Sequence, residues 1–243
     1  MSSVRAPAKL TLSLRITSVR GDGYHELDAE MVSLGLADTL TFSDGDGLTV
    51  GGPHCGGVPM DDSNLVRRAL ALIGRTASVH VEKQIPSGAG LGGGSADAAA
   101  VLRWAGVDDL VVAARLGADV PFCLVGGRAR VRGIGDRVTP LPFVDRSFTL
   151  ITPPLSVSTA AVYQAWDDLG GPSGRGRNDL ERAALVVAPE LADWRQRIRS
   201  LVGEDPVLAG SGSTWFVEGE HPGLVAALPD ASVVVTRTDR PAK

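Results

Sequence analysis

The sequence predicts an α+β protein made of two units, and three observations carry that prediction. Residues 4–16 alternate polar and apolar for longer than an ordinary strand requires. A short alternating segment at 78–82 runs into a glycine-rich loop and then an alanine-rich helix. Beyond that, short strands and helices follow in irregular mixture instead of the regular alternation of a doubly wound sheet. A proline-rich break at 140–154 places the boundary, giving units over 1–145 and 146–243.

Taken in order, Val4, Ala6, Ala8, Leu10, Leu12, Leu14 and Ile16 share one face of the first strand. Arg5, Pro7, Lys9, Thr11, Ser13 and Arg15 share the other, and Pro7 marks a bend or an edge. On this pattern alone Lys9 reads as a solvated strand lysine. Gly21-Asp22-Gly23 is a turn, and Tyr24-His25-Glu26-Leu27 leads into a second apolar segment. Residues 38–42 and 48–50, joined by Asp44-Gly45-Asp46-Gly47, read as a hairpin. Ser63 is placed to cap a helix over 64–73, which Gly74 ends.

After the glycine loop and its helix (96–105), Asp108 opens a further helix over 109–116. Asp119 then lies in a turn before Val120-Pro121, where an aspartate ordinarily bonds neighbouring N–H groups. Residues 122–125, 128–132 and 137–141 read as strands between glycine turns, and 148–151 as another. A helix at 159–169, a flexible connection at 170–176, and a helix capped by Asn178 and running to Val187 follow. The helix 190–202 turns Leu191, Trp194, Ile198 and Leu201 inward and leaves Arg195, Arg197 and Arg199 in water. Strands at 207–209 and 214–217 flank a second glycine turn, Gly210-Ser211-Gly212-Ser213, and a helix at 223–228 and a strand at 232–236 close the chain.

Composition excludes several function classes. A formal charge of -4 and the lack of a basic run argue against a nucleic-acid partner. No apolar run reaches the length of about 18 residues that a membrane span requires, and the first twenty residues alternate in a way no signal peptide does. Two well-separated cysteines, Cys55 and Cys123, fit a reducing cytoplasm and no disulfide framework. His25, His54, His80 and His221 show no paired spacing, so no side-chain metal site is expected.

The stretch with chemical content is Pro86-Ser87-Gly88-Ala89-Gly90-Leu91-Gly92-Gly93-Gly94-Ser95-Ala96, with Ser95 at the expected N-cap. Glycine lets backbone N–H groups approach a ligand, and a helix N-terminus adds the positive end of its dipole, so the pattern suits a phosphate; a plain tight turn is the alternative. It lacks the Gly-Lys-Ser/Thr ending of a Walker A loop and the spacing of a dinucleotide fingerprint. Asp97 is expected to point away from the cradle or to act through a metal ion.

That loop resembles the ATP-binding motif of the GHMP kinases, and Gly210-Ser211-Gly212-Ser213-Thr214 resembles their C-terminal motif. Ala6-Pro7-Ala8-Lys9, the segment from Gly21 to Leu27, and Leu116-Gly117-Ala118-Asp119-Val120-Pro121-Phe122 extend the similarity from about residue 5 to 218. The resemblance implies an N-terminal domain like domain 2 of ribosomal protein S5 and a ferredoxin-like C-terminal domain, with substrate in the cleft between them. It further implies that Lys9 and Asp119 are the catalytic pair, Asp119 as base toward the acceptor hydroxyl and Lys9 as its orienting cation. Residues 86–96 would hold ATP, with Ser95 near Mg²⁺ and Lys83 near the nucleoside. Tyr24 and His25 would contact the cytidine end of a small-molecule acceptor. Thr11 stands where the family usually has asparagine and Met31 where an aromatic is expected near the base. The chain is then a cytoplasmic ATP-dependent small-molecule kinase, monomeric or weakly dimeric. Another acceptor of the same family, or a nucleotide-binding regulator without turnover, are the competing readings.

Overall fold

The backbone is organised around one long antiparallel pair, β1 (Ser2–Val19) and β2 (His25–Ser43), joined by the turn at 21–23. The computed structural model describes residues 1–171 and 176–241. β2 is the one named strand that β1 pairs with among the described residues, so β1 is an edge strand whose outer side meets Leu91 and residues 177–179, and its register shifts between Pro7 and Lys9. Proline has no N–H to give to a ladder, which is why a shift is tolerated there.

β3 (Gly47–Gly51) does not form the expected hairpin with the end of β2. β4 (Ser78–Glu82) inserts between them, parallel to β3 and antiparallel to residues 39–43 of β2. Leu40, Phe42, Val79 and Val81 are thereby buried, which a two-stranded ribbon would not achieve. β5 (Arg128–Gly133) and β6 (Arg137–Leu141) complete the six-stranded sheet beyond the first half of β2.

Helix α1 (Leu65–Leu72) is capped by Asn64, whose side chain accepts from Val66 N, while Ser63 turns back to Asp61. The cap therefore sits one residue later than expected. Helix α2 (Gly93–Trp104) begins earlier than expected: Gly92 is its N-cap residue, in the left-handed region, and Ser95 lies within the first turn. Its residues 96–102 are all buried against the sheet. Short helices α3 (Leu110–Ala114) and α4 (Val120–Val125) follow. The expected strand at 122–125 is α4: Pro121 stands in its first turn and Gly126 ends it.

The second sheet runs β10-β7-β9-β8, from β7 (Ser147–Thr152), β8 (Val207–Leu208), β9 (Trp215–Glu218) and β10 (Ser232–Arg237), all antiparallel. Helices α5 (Thr159–Asp168), α6 (Glu181–Val187) and α7 (Glu190–Val202) separate β7 from β8, and α8 (Leu224–Ala227) separates β9 from β10. This chain order and strand order are those of the expected ferredoxin-like arrangement. Along α7, Leu191, Trp194 and Ile198 are buried as expected, but Leu201 is exposed. Arg195 and Arg199 both reach Asp205. Part of the connection at 170–176 lies outside the described residues.

Two apolar clusters divide the interior. One fills the space between the first sheet and α2, and the other lies between the second sheet and helices α5 to α7. They are not sealed from each other: Leu14 of β1 packs in the second, and Phe148 and Leu150 of β7 in the first.

Candidate active site

The glycine loop between β4 and α2 forms one wall of a cleft of about 1010 Å³, at the upper end of the range for ligand pockets. Residues 86–90 and 92–95 line it; Leu91 and Ala96 are instead turned into the core. Two glycines are required by what lies behind them. Gly90, at φ +78°, runs against the backbone of the second glycine turn, where a Cβ would strike the carbonyl oxygens of Ala209 and Gly212. Gly92, at φ +68°, leaves room for the stem of Lys9, whose Cγ would lie 2.7 Å from a Cβ there. Thr214 N donates to Ala89 O (3.2 Å) and Lys9 N to Leu91 O (3.0 Å), so the loop is tied to both β1 and the β8–β9 turn.

Lys9 is buried, at 6% exposure, and is not the solvated lysine its strand pattern suggested. The face it shares with Thr11 is covered by the loop. Its ammonium lies 3.2 Å from Asp119 Oδ2 and donates to Thr11 Oγ1 at 3.3 Å. Asp119 is the N-cap residue of α4 but caps nothing with its side chain; its carboxylate faces Lys9 instead of neighbouring N–H groups. A buried cation beside a part-exposed carboxylate at the edge of a dipole-rich loop can deprotonate a hydroxyl and steady developing negative charge. Asp119 also acts on its surroundings: burial, and then its charge, push the Cys123 thiol and the Tyr163 hydroxyl each up to about 12.

Behind the loop lies a charged cluster that the sequence did not announce. Lys83, expected near a nucleoside, is buried and bonded to both Asp38 and Asp97. Asp38 also accepts from Gln84 N (2.6 Å) and Ile85 N (2.8 Å), which fixes the entry to the loop. Burial opposes the Lys83 charge, but the two carboxylates outweigh it and hold the ammonium above the usual lysine value. Burial pushes Asp97 up to about 7 against the pull of Lys83, and its Oδ1 has no partner among the described residues. Asp97 Oδ2 is held by Lys83 at 2.7 Å, while the residue itself lines the cleft.

Tyr24 and His25 stand at the far end of the cleft, Tyr24 exposed and His25 largely covered. His25 Nε2 is 2.8 Å from Asp167 Oδ1 on α5, with Tyr163 and Trp166 against its ring. Met31 lies buried in the floor. The second sheet contributes Gly210 and Ser211, placed by Asn178, whose amide donates to Leu208 O (2.9 Å) and Gly210 O (2.6 Å). The structure therefore brings every expected site residue except Leu91 and Ala96 to one cleft. Asp38, Tyr163 and Asp167 were missed, since each meets its partner across the fold; Asp97 and Asn178 were marked in the sequence, but not their bonds to Lys83 and to the 208–210 carbonyls.

The family described as GHMP kinases N terminal domain matches residues 64–127. The 4-diphosphocytidyl-2-C-methyl-D-erythritol kinase of Paracoccus denitrificans is 37% identical, over 96% of this chain and 90% of its own length. That of Jannaschia sp. is 40% identical over 87% and 86%. A crystal structure of 4-(cytidine 5'-diphospho)-2C-methyl-D-erythritol kinase superposes with a TM-score of 0.78 at 34% identity, covering all of both chains. The mevalonate kinase of Methanococcus jannaschii, at 12% identity and a TM-score of 0.61 over 98% of each chain, shares the fold.

Proposed function

We infer the reaction from the premise that this chain belongs to the 4-diphosphocytidyl-2-C-methyl-D-erythritol kinases, within the GHMP kinases. It is a kinase that uses ATP as phosphoryl donor and 4-diphosphocytidyl-2-C-methyl-D-erythritol as acceptor, in the making of isoprenoid precursors. The 2-hydroxyl of the acceptor receives the γ-phosphoryl group, leaving ADP. The observation that carries this reading is the Lys9–Asp119 pair, 3.2 Å apart beside the glycine loop.

Asp119 takes the proton of the acceptor hydroxyl as its oxygen attacks phosphorus. Lys9, fixed by Thr11 and by the loop packed against its stem, orients that carboxylate and stabilises charge on the transferring group. Backbone N–H groups within the loop 87–95 and the N-terminus of the twelve-residue helix α2 receive the triphosphate. Positioning and charge stabilisation suffice for phosphoryl transfer, so no covalent enzyme intermediate is required.

Mg²⁺ fits the donors present. No three His, Cys, Asp or Glu cluster as a cage among the described residues, and Mg²⁺ is ordinarily held by one or two protein oxygens plus substrate phosphates. The Ser95 hydroxyl, which lines the cleft at the start of α2, is the protein oxygen that would hold it beside the phosphates, and the ion would neutralise phosphate charge. Tyr24, His25 and Thr11 would contact the acceptor, with the cytidine at His25.

We place the nucleotide-binding unit at 1–145 and the substrate unit at 146–243, supported by the origin of the first sheet within Ser2–Leu141 and of the second within Ser147–Arg237. A monomer or weak dimer is supported by exposed large apolar residues drawn from separate stretches of chain, among the described residues. A cytoplasmic setting is supported by two free cysteines; no helix among the described residues is long and apolar enough to cross a membrane.

ADP release measured across acceptors tests the function. Turnover with the cytidylyl acceptor alone is expected; turnover with mevalonate or homoserine, or ATP binding without turnover, would overturn it. In the same assay Asp119→Asn should lose about 10³-fold in kcat with ATP binding retained. A near-native rate in that variant removes Asp119 as base.

A further inference from the structure

His25 is held more firmly than a ligand contact needs. Its ring is gripped on one side by Tyr163 (centroids 4.7 Å apart, tilted) and met edge-on by Trp166 (5.4 Å, 84°). Its Nε2 is 2.8 Å from Asp167 Oδ1. A carboxylate only accepts, so the proton of this hydrogen bond sits on Nε2. Packing on two sides opposes the ring flip that would exchange the two nitrogens. In the neutral ring Nδ1 is then left with a lone pair and no partner among the described residues. His25 lines the cleft whereas Asp167 stands behind it.

We propose that Asp167 is the positioning residue that sets base preference: by fixing His25 in its Nε2–H tautomer, it turns Nδ1 into an acceptor that selects a base carrying an amino group over one carrying a carbonyl. Cytosine presents an exocyclic amine where uracil presents an oxygen, so the same lone pair attracts one and repels the other. This rests on the cytidine-bearing acceptor proposed above. Asp167 touches no substrate atom; it acts through the imidazole, as a carboxylate does when it orients a histidine in a hydrolase or a metal site. Sites that leave a polar group unpaired against the wrong ligand discriminate far more strongly than apolar pockets do.

The test has two readouts. First, kcat/KM is measured for the cytidylyl acceptor and its uridylyl analogue in wild type and Asp167→Ala. Wild type should prefer the cytidylyl form by about 100-fold or more, and the variant should bring the ratio to within about tenfold of parity, with the loss carried by KM. Second, long-range ¹H–¹⁵N spectra of the ligand-free protein, with His25→Gln for assignment, report which ring nitrogen bears the proton. Nδ1 should be unprotonated in wild type and tautomers mixed in Asp167→Ala. Full discrimination in the variant, or a protonated Nδ1 in wild type, overturns the proposal. Absence of wild-type turnover with the cytidylyl acceptor overturns the acceptor assignment and the base preference with it. The ligand-free spectra tell that apart from failure of the Asp167 role.

Discussion

Replacing Gly92 by alanine separates two demands that this position meets at once. Its φ of +68° costs an alanine about 1–2 kcal/mol of backbone strain. In a chain of this length each kcal/mol moves the melting point by about 2–4 °C, so a fall of about 2–8 °C is expected. The added Cβ would also lie 2.7 Å from Lys9 Cγ and 3.2 Å from Cε. Carbon atoms settle at about 3.5–4 Å, so the lysine stem must retreat by about 1 Å. Thr11 and Asp119 hold its far end, and the displacement falls on the 3.2 Å ion pair. A misplacement of about 1 Å at a reacting group costs on the order of 100-fold, and that is the expected loss in kcat. Gly106→Ala is the control: φ is +72°, but nothing lies within 4 Å of its Cβ, so it should carry the thermal loss with native turnover. The assays are coupled ADP release and thermal melting on both variants. A Gly92→Ala enzyme with native kcat would refute the claim that the loop sets the position of Lys9.

Two further predictions concern buried acids. Asp97, pushed up to about 7 by burial, holds a proton in the folded protein that the unfolded chain releases near its ordinary value of 3.8. The folded state therefore binds more protons between those values, and the stability this contributes is complete below about pH 4 and is lost as pH rises through about 7. Asp97→Asn, a permanent stand-in for the neutral acid, should flatten that slope by a few kcal/mol in chemical denaturation at pH 5 against pH 8; equal slopes would contradict it. Cys123, with its thiol pushed up to about 12 by burial, should ignore thiol reagents at pH 8, while exposed Cys55 reacts. One label per folded chain and two after denaturation is the expected count, and a second fast label would show that α4 parts from the first core cluster.

What could be read in advance followed the range of the forces involved. The glycine loop, the β4–loop–α2 context and the edge character of β1 depend on neighbours along the chain, and all were legible. The segment 122–125 was misjudged because a short apolar run has no period, although Asp119, Pro121 and Gly126 stood at helix start and stop positions. The hairpin expected between 38–42 and 48–50 failed because pairing with β4 buries more apolar surface than a ribbon does. Lys9 looked solvated because its polar face is covered by a loop far along the chain; only the family resemblance pointed inward. Nothing local distinguishes Asp38 or Asp167 from a surface aspartate, since each takes its meaning from a partner across the fold.

The close approach of Gly90 to Ala209 and Gly212 means that the segment expected to grip ATP leans for support on the turn between two strands of the second sheet. Any hinge that widens the cleft must slide these backbones past each other or carry the loop along. Without the turn at 209–214 the glycine loop would lose the abutment that shapes it, and the first core would lose Phe148, Leu150 and Phe216 with the rest of the second sheet.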